Sequence, residues 1–326
     1  MKKKTKKTLI ITGISILIAM AVVVASGFGY LYYQLSKIES EPITKEPEEL
    51  AITKETEEKS KQEDIINIAL FGIDARDLEG NDPSRSDAIM VLSIDKKDKT
   101  IRLSSIMRDT YVTIKGREGK DKLNHAYAFG QGELAINTIN SNFNLDIKDY
   151  ISVNFYGLEK IVDRLGGVTI DVKQEEIQYI NSMASGMASA EGKTVKPISA
   201  PGPQTLNGIQ AVAYGRIRST AGGDYVRTDR QRTVLMAAIN KCLKTSPMEM
   251  YSVATELIPY VKTSMSPSSI LSLGKDILLS GVSNVEENRF PLQDKCKGDL
   301  INGVSYIITD LNETSKDIHK FIYGEE

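Results

Sequence analysis

The sequence predicts an α/β fold: a mixed central β-sheet covered by helices on both faces, preceded by one transmembrane helix. Three observations carry this. Short apolar runs with strand spacing alternate with longer segments of helical periodicity. One polar turn, Asp-Lys-Lys-Asp-Lys at 95–99, joins two strand-like runs as a hairpin, and no clean βαβ repetition follows. An uncharged apolar run from Leu9 to Tyr33 opens the chain.

Taken in order, residues 65–71 are a short apolar run ending at Gly72 and read as a central strand. Residues 88–94 and 100–106 flank the polar turn as two further strands. A helix is expected at 134–143, a strand at 150–155, and a helix at 156–165 that Gly166-Gly167 stops. Residues 168–172 alternate as a strand. Residues 182–203 are rich in Ser, Gly, Ala and Pro and read as a mobile loop near a site. Residues 206–213 form a short helix leading into an arginine-bearing strand, and 224–243 a long helix. Helices are expected at 247–261, 267–279 and 304–322, and a late strand at 285–292.

The N-terminal run is read as a membrane anchor. At ~1.5 Å per residue it is long enough for a hydrocarbon core of about 30 Å. Lys2, Lys3, Lys4, Lys6 and Lys7 precede it, and Tyr30, Tyr32 and Tyr33 lie at its far end, so the N-terminus is expected inside the cell and the remainder outside. A cleaved signal peptide is the alternative, and the length of the run speaks against it. The division expected is a cytoplasmic tail at 1–7, a transmembrane helix at 8–35, a polar extracellular linker at 36–64, and one globular domain at 65–326 whose motifs lie within 65–245. The linker is rich in Glu, Lys, Thr and Pro and is expected to stay extended.

Composition narrows the function. The 326 residues carry a formal net charge of only -2, which argues against bulk attraction to nucleic acid. There is no Trp, so base-stacking platforms are not expected. His125 and His319 cannot build a zinc site alone, so a metal here would be a hard cation held by carboxylates. Cys242 and Cys296 are read either as a disulfide or as two buried thiols.

The most informative stretch is Tyr214-Gly-Arg-Ile-Arg-Ser-Thr-Ala-Gly-Gly-Asp-Tyr-Val-Arg-Thr-Asp-Arg-Gln-Arg232. Arg guanidinium is a planar, permanently charged fork that suits phosphate oxygens. Arg216 and Arg218 share strand parity and would project from one face. Arg227 and Gln231 lie on one face of the following helix. The alternative is a solvated helix with surface ion pairs. Two smaller clusters share this chemistry: Asp74 and Arg76 with Arg85-Ser-Asp87, and Ser104-Ser-Ile-Met-Arg-Asp109. Taken alone, each has a structural alternative, turn residues and N-caps for the first and an Arg–Asp ion pair for the second. Because all three recur at element ends, they read jointly as a pocket for a pyrophosphate and a divalent ion. There is no P-loop and no GxGxxG, so an ordinary nucleotide cofactor is not expected.

The order Gly-Ile-Asp-x-Arg, Arg-Ser-Asp, Ser-Ile-Met-Arg-Asp, then Leu206-Asn-Gly-Ile-Gln-Ala-Val-Ala-Tyr-Gly-Arg-Ile-Arg218 and Asp224-Tyr-Val-Arg-Thr-Asp-Arg-Gln-Arg232 resembles the LytR-CpsA-Psr family of Gram-positive cell-wall enzymes. The match runs from about Ile65 to Leu243. The resemblance implies a phosphotransferase that moves a glycopolymer, of wall teichoic acid or capsular type, from a polyprenyl-pyrophosphate carrier to peptidoglycan. It implies Mg²⁺, or Mn²⁺ in its place, on Asp74 and Asp87. It implies pyrophosphate contacts from Arg85, Arg108, Arg216, Arg218, Arg227 and Gln231, and a catalytic group of Asp74, Arg108, Asp109 and Asp224. Met107 departs from the family pattern, which has Pro before Arg-Asp. Expected partners are the lipid-linked polymer, peptidoglycan and the membrane, with no nucleic acid. The alternatives are a non-catalytic binder of lipid-linked glycans and a lipid pyrophosphatase.

Overall fold

The computed structural model of the chain describes residues 29–73, 85–217, 223–246, 249, 252, 253, 256, 258–282 and 284–324. Of the expected transmembrane helix, residues 29–35 are described and form helix α1, with Tyr30, Tyr32 and Tyr33 exposed. The remainder and the cytoplasmic tail lie outside the described residues. Among the described residues no helix is long and apolar enough to cross a membrane.

Seven strands form a mixed sheet: β1 (Glu39–Ser40), β2 (Ile65–Ile73), β3 (Ser86–Asp95), β4 (Thr100–Ile106), β7 (Asp149–Asn154), β10 (Val261–Thr263) and β11 (Asn284–Phe290), in the order β1-β10-β7-β2-β3-β4-β11. β2–β3–β4 is an antiparallel meander turned by the polar 95–99 segment, whereas β7 pairs parallel to β2 and β11 parallel to β4. β2 is apolar on both of its alternating faces because both are covered. Ile65, Ala69 and Phe71 join a core with helices α3 (His125–Phe143) and α9 (Leu311–Tyr323). Ile66, Ile68 and Leu70 face the other way, toward Ile270, Leu273 and Ile277 of α8 (Pro267–Ser280).

A second core lies among α4 (Phe155–Arg164), α5 (Gln174–Ala190), α6 (Gly208–Gly215) and α7 (Gly223–Leu243), with the hairpin β8 (Val168–Val172) and β9 (Gly202–Leu206). Every residue of α6 is buried, and its start is closed by the reciprocal Asn207–Gln210 capping box. Two further hairpins stand beside the sheet: β5 (Tyr111–Thr113) with β6 (Lys120–Lys122), and β12 (Cys296–Ile301) with β13 (Val304–Thr309).

Four expectations are corrected. Residues 36–64 are not an extended tether. β1 adds to the sheet edge beside β10, and helix α2 (Lys54–Glu63) is capped by Thr53. Leu50 is 0% exposed, and Asn140 donates to its carbonyl at 3.0 Å. Few apolar residues occur here, but Leu50 and Ile52 both enter the main core, which composition cannot reveal.

Residues 182–203 are not simply a loop, because α5 runs to Ala190 on a stripe of Glu176, Ile180, Ala184 and Ala188. Small residues hid that four-residue repeat. Residues 304–322 are not one helix. β-Branched and aromatic residues form β13, and Asp310 caps α9 by accepting from Asn312 and Glu313 amides. Finally, Arg216 does not lie on a strand; it is the C-cap of α6 in helical conformation. Residues 247–261 are only partly described, ending in a 3-10 turn at Ile258–Tyr260 and the start of β10. Cys242 and Cys296 are not joined by a disulfide, and both are partly buried.

Candidate functional site

A slot opens between the sheet and α4 and α7 at the carboxyl ends of β2 and β7. Its volume is about 190 Å³. Leu70, Met90, Ile151 and Val153 form its floor, and Leu158, Ile161, Leu235 and Ala238 its roof. Gly72 on the floor pairs with Ala88, and a Cβ there would sit 2.9 Å from the Ala88 Cβ, so only Gly fits without a shift. The polar side chains of the lining are Asp87, Asn154 and Gln231.

Asp87 reaches the slot because of a β-bulge. Gly72 pairs with Ala88 and Ile73 with Ser86, so Asp87 is the extra residue. A bulge interrupts the ladder and re-aims the side chain. Asp87 is 8% exposed, and Arg108 Nη1 donates to its Oδ1. Arg108 follows β4, and its Nε stands 3.4 Å from Asp109 Oδ2. Lys122 of β6 closes the group, with Nζ 2.7 Å from Asp109 Oδ1. Lys122, Asp109, Arg108 and Asp87 are therefore one continuous chain of alternating charge.

Met107 is buried where the family pattern has Pro, and its amide donates to Phe290 O at 2.8 Å. Proline has no amide hydrogen to give. The departure therefore adds a tie between β11 and the segment that carries Arg108.

Helix α7 brings the arginine-rich stretch over the slot. Gln231, Leu235 and Ala238 all line it, so Arg227, one turn before Gln231, lies on that same stripe. Arg227 is 1% exposed. The other two described arginines of this helix are structural anchors. Arg230 Nε bonds Glu176 at 2.8 Å and its Nη1 bonds Ile217 O at 3.2 Å, tying α7 to α5 and to the turn after α6. Arg232 Nε lies 3.3 Å from Glu287 on β11. Beside Arg230, burial pushes the Tyr214 hydroxyl up to about 12, with the Glu176 charge adding to it.

The structure thus joins Asp87, Arg108 and Asp109 directly and puts Gln231 in the slot lining with Asp87. Arg85 is exposed just ahead of β3, and Arg216 is exposed at the end of α6. Gly215, the residue before Arg216, approaches Gln231: a Cβ there would lie 3.7 Å from Gln231 Cγ. Asp74 and Arg218 lie outside the described residues, as does the Asp224 side chain.

Sequence reasoning missed two residues. Lys122 lies in a lysine-rich hairpin that looks like any solvated turn. Arg289 on β11 binds both carboxylate oxygens of Asp229, at 3.0 and 2.9 Å, and so locks α7 to the sheet edge. A lone Arg in a late strand carries no signal in sequence.

Among the described residues no group of three or more His, Cys, Asp or Glu could hold a metal ion. The slot lining nevertheless carries the Asp87 carboxylate, with the amide oxygens of Asn154 and Gln231 as further hard oxygen donors. Donors of this kind fit a hard cation such as Mg²⁺.

The LytR_cpsA_psr family model matches residues 27–320. The polyisoprenyl-teichoic acid–peptidoglycan teichoic acid transferase TagU of Enterococcus faecalis is 31% identical over 319 residues, spanning 97% of this chain and 96% of its own. The solved structure of TagT bound to LI-WTA is 29% identical with a TM-score of 0.61, covering 79% of this chain and 91% of that one. The structure of the LytR-CPS2A-psr family protein YwtF (TagT) with bound octaprenyl pyrophosphate lipid is 27% identical with a TM-score of 0.58, covering 79% and 90%. With a family model spanning most of its length and a relative alike from end to end, the chain belongs to the LytR-CpsA-Psr family.

Proposed function

We propose that this protein transfers a teichoic-acid-type glycopolymer from a polyisoprenyl-pyrophosphate carrier to peptidoglycan. The observation that carries the reading is the slot: apolar along its length, with Asp87 and Gln231 in its lining and Arg108 bonded to Asp87. A prenyl tail needs an apolar groove, and its pyrophosphate needs fixed cations at the end of that groove.

In the proposed reaction a peptidoglycan hydroxyl attacks the phosphorus that bears the polymer. A new phosphodiester bond forms, the P–O bond to the lipid-side phosphate breaks, and polyprenyl phosphate leaves. Phosphoryl transfer of this kind is mostly positioning and charge stabilisation. Arg108 is held in place by Asp87 and Asp109, and with Arg85, Arg216, Arg218, Arg227 and Gln231 it is assigned to the pyrophosphate oxygens. Asp109, gripped by Arg108 and Lys122, orients rather than accepts a proton. The hydroxyl proton is assigned to Asp74 or Asp224. Mg²⁺ held by Asp74 and Asp87 would neutralise charge on the pyrophosphate. The apolar run from Leu9 to Tyr33 anchors the domain beside its lipid substrate on the outer face of the cell membrane.

The test is turnover of a short-chain lipid-pyrophosphate-linked donor with a peptidoglycan oligomer, with Mg²⁺ or with EDTA, read by mass spectrometry. A phosphodiester-linked product together with free lipid phosphate is expected. Donor binding without product would leave a binding protein, and lipid phosphate without linked product a pyrophosphatase.

A further inference from the structure

The charge chain of the site ends at a surface that the slot does not use. Lys122 bonds Asp109 on one side, and its Nζ stands 5.7 Å from the centre of the Tyr306 ring on the other. Tyr306 packs against Tyr111 with ring centroids 4.7 Å apart and planes tilted by 59°. Lys120 Nζ lies 6.0 Å from the Tyr111 ring centre. Nearby on helix α3, Phe129 is 43% exposed, with the Arg117 guanidinium 4.1 Å from its ring centre.

This face is built from two hairpins stitched to the site. Tyr111 pairs with Lys122 across β5–β6, so both leave the same side of the hairpin, while Val112, next to Tyr111, is fully buried on the other. Thr110 and Ile307 form a parallel bridge, and Ile307 N donates to Asp109 O at 2.9 Å. The β12–β13 hairpin that presents Tyr306 is therefore anchored on the backbone of the Arg108-Asp109 pair.

We propose that this face is the docking surface for the peptidoglycan glycan strand, placing its acceptor hydroxyl beside Arg108 and Asp109. The inference rests on the transfer reading and names where one of its two substrates sits. Sugar rings offer flat C–H faces that pack on aromatic side chains, and hydroxyls that pair with ammonium, guanidinium and phenol groups. Both kinds of partner alternate here. The charge is mixed, because Glu118, Asp121 and Asp109 lie among Arg117, Lys120 and Lys122. A polyanion would call for cations without such neighbours. A glycan bearing scattered carboxylates meets the mixture present.

The test uses the full-length protein in detergent, with defined glycan oligomers as acceptor. The Tyr111→Ala/Tyr306→Ala double variant is expected to raise the acceptor KM about tenfold and to weaken cosedimentation with insoluble peptidoglycan, since loss of a well-packed aromatic anchor is on the order of one decade in affinity. Donor KM stays unchanged, and Tyr306→Phe, which keeps the ring, behaves close to the parent. Should the double variant melt early, Lys120→Glu at its exposed position must raise the acceptor KM by itself. An unchanged acceptor KM in folded variants overturns the proposal. So does selective loss of binding to lipid-free poly(glycerol phosphate), which would make the face a donor-polymer surface. Donor binding and lipid-phosphate release by the parent protein test the transfer reading separately, and glycan cosedimentation is read without turnover.

Discussion

Lys122 Nζ stands 2.7 Å from Asp109 Oδ1, and Asp109 in turn faces Arg108 Nε at 3.4 Å. A lysine from a three-residue strand thereby holds the orientation of an arginine that follows a different strand. Their partnership converts two short segments into one preorganised chain of ion pairs beside the slot.

Lys122→Ala leaves Asp109 with one cation fewer and Arg108 less constrained. Transfer is expected to fall roughly tenfold to a hundredfold, the scale of losing a partner that orients a functional side chain. Lys122→Arg restores part of it. Steady-state turnover of the lipid-linked donor checks this, and full activity in Lys122→Ala would sink that orienting role.

The slot is narrow enough to be filled. Leu235 lies on its roof, so Leu235→Trp pushes an indole into the space assigned to the tail. Donors with long prenyl chains are expected to lose affinity by about tenfold or more, on the scale of a blocked apolar pocket. Donors with very short chains are affected less. Equal loss for both chain lengths would mean that the tail lies elsewhere.

The segment before β2 contributes to stability. Leu50 is fully buried in the main core, and Leu50→Ala is expected to cost about 2–5 kcal/mol, as for other core truncations. Its melting temperature should fall by several degrees or more, and removal of residues 36–63 should lower it further. A chain that melts unchanged without them would return the segment to a passive tether.

Asp146 gives a pH signature. Burial raises its pKa above the ordinary aspartate range, against hydrogen bonds from Asn67 and Ser60 that lower it. The folded state therefore favours the protonated form. Its contribution to stability is fully present below the unfolded pKa and is lost as pH rises through the elevated folded value. Asp146→Asn keeps an oxygen for Asn67 Nδ2, now at 2.7 Å, and removes that loss. The variant is expected to gain stability relative to the parent as pH rises from the acid range toward neutrality. Parallel denaturant midpoints across that range would contradict it.

Much of the site chemistry was legible before folding, because residue type alone carries it. The phosphate role proposed for Arg108, Arg227 and Gln231 was read from residue type, and the helical spacing of Arg227 and Gln231 is a local property. Arg230 and Arg232 look the same in sequence as Arg227. Only the packing of α7 on α5 and β11 separates anchors from the slot-facing stripe.

The sequence by itself determined five of the seven strands of the central sheet, β2, β3, β4, β7 and β11, while β1 and β10 were hidden in segments read as linker and helix. Periodicity and side-chain chemistry are short-range properties. The tertiary structure alone decided the rest. The bulge that turns Asp87 inward depends on the register between β2 and β3. The burial of Leu50 depends on a core assembled mainly from residues after it in the chain. The meeting of Lys122, Tyr306 and Asp109 depends on two hairpins distant in sequence. Each is a contact between segments whose closure no local pattern encodes, because what rewards it is the surface presented by the other partner.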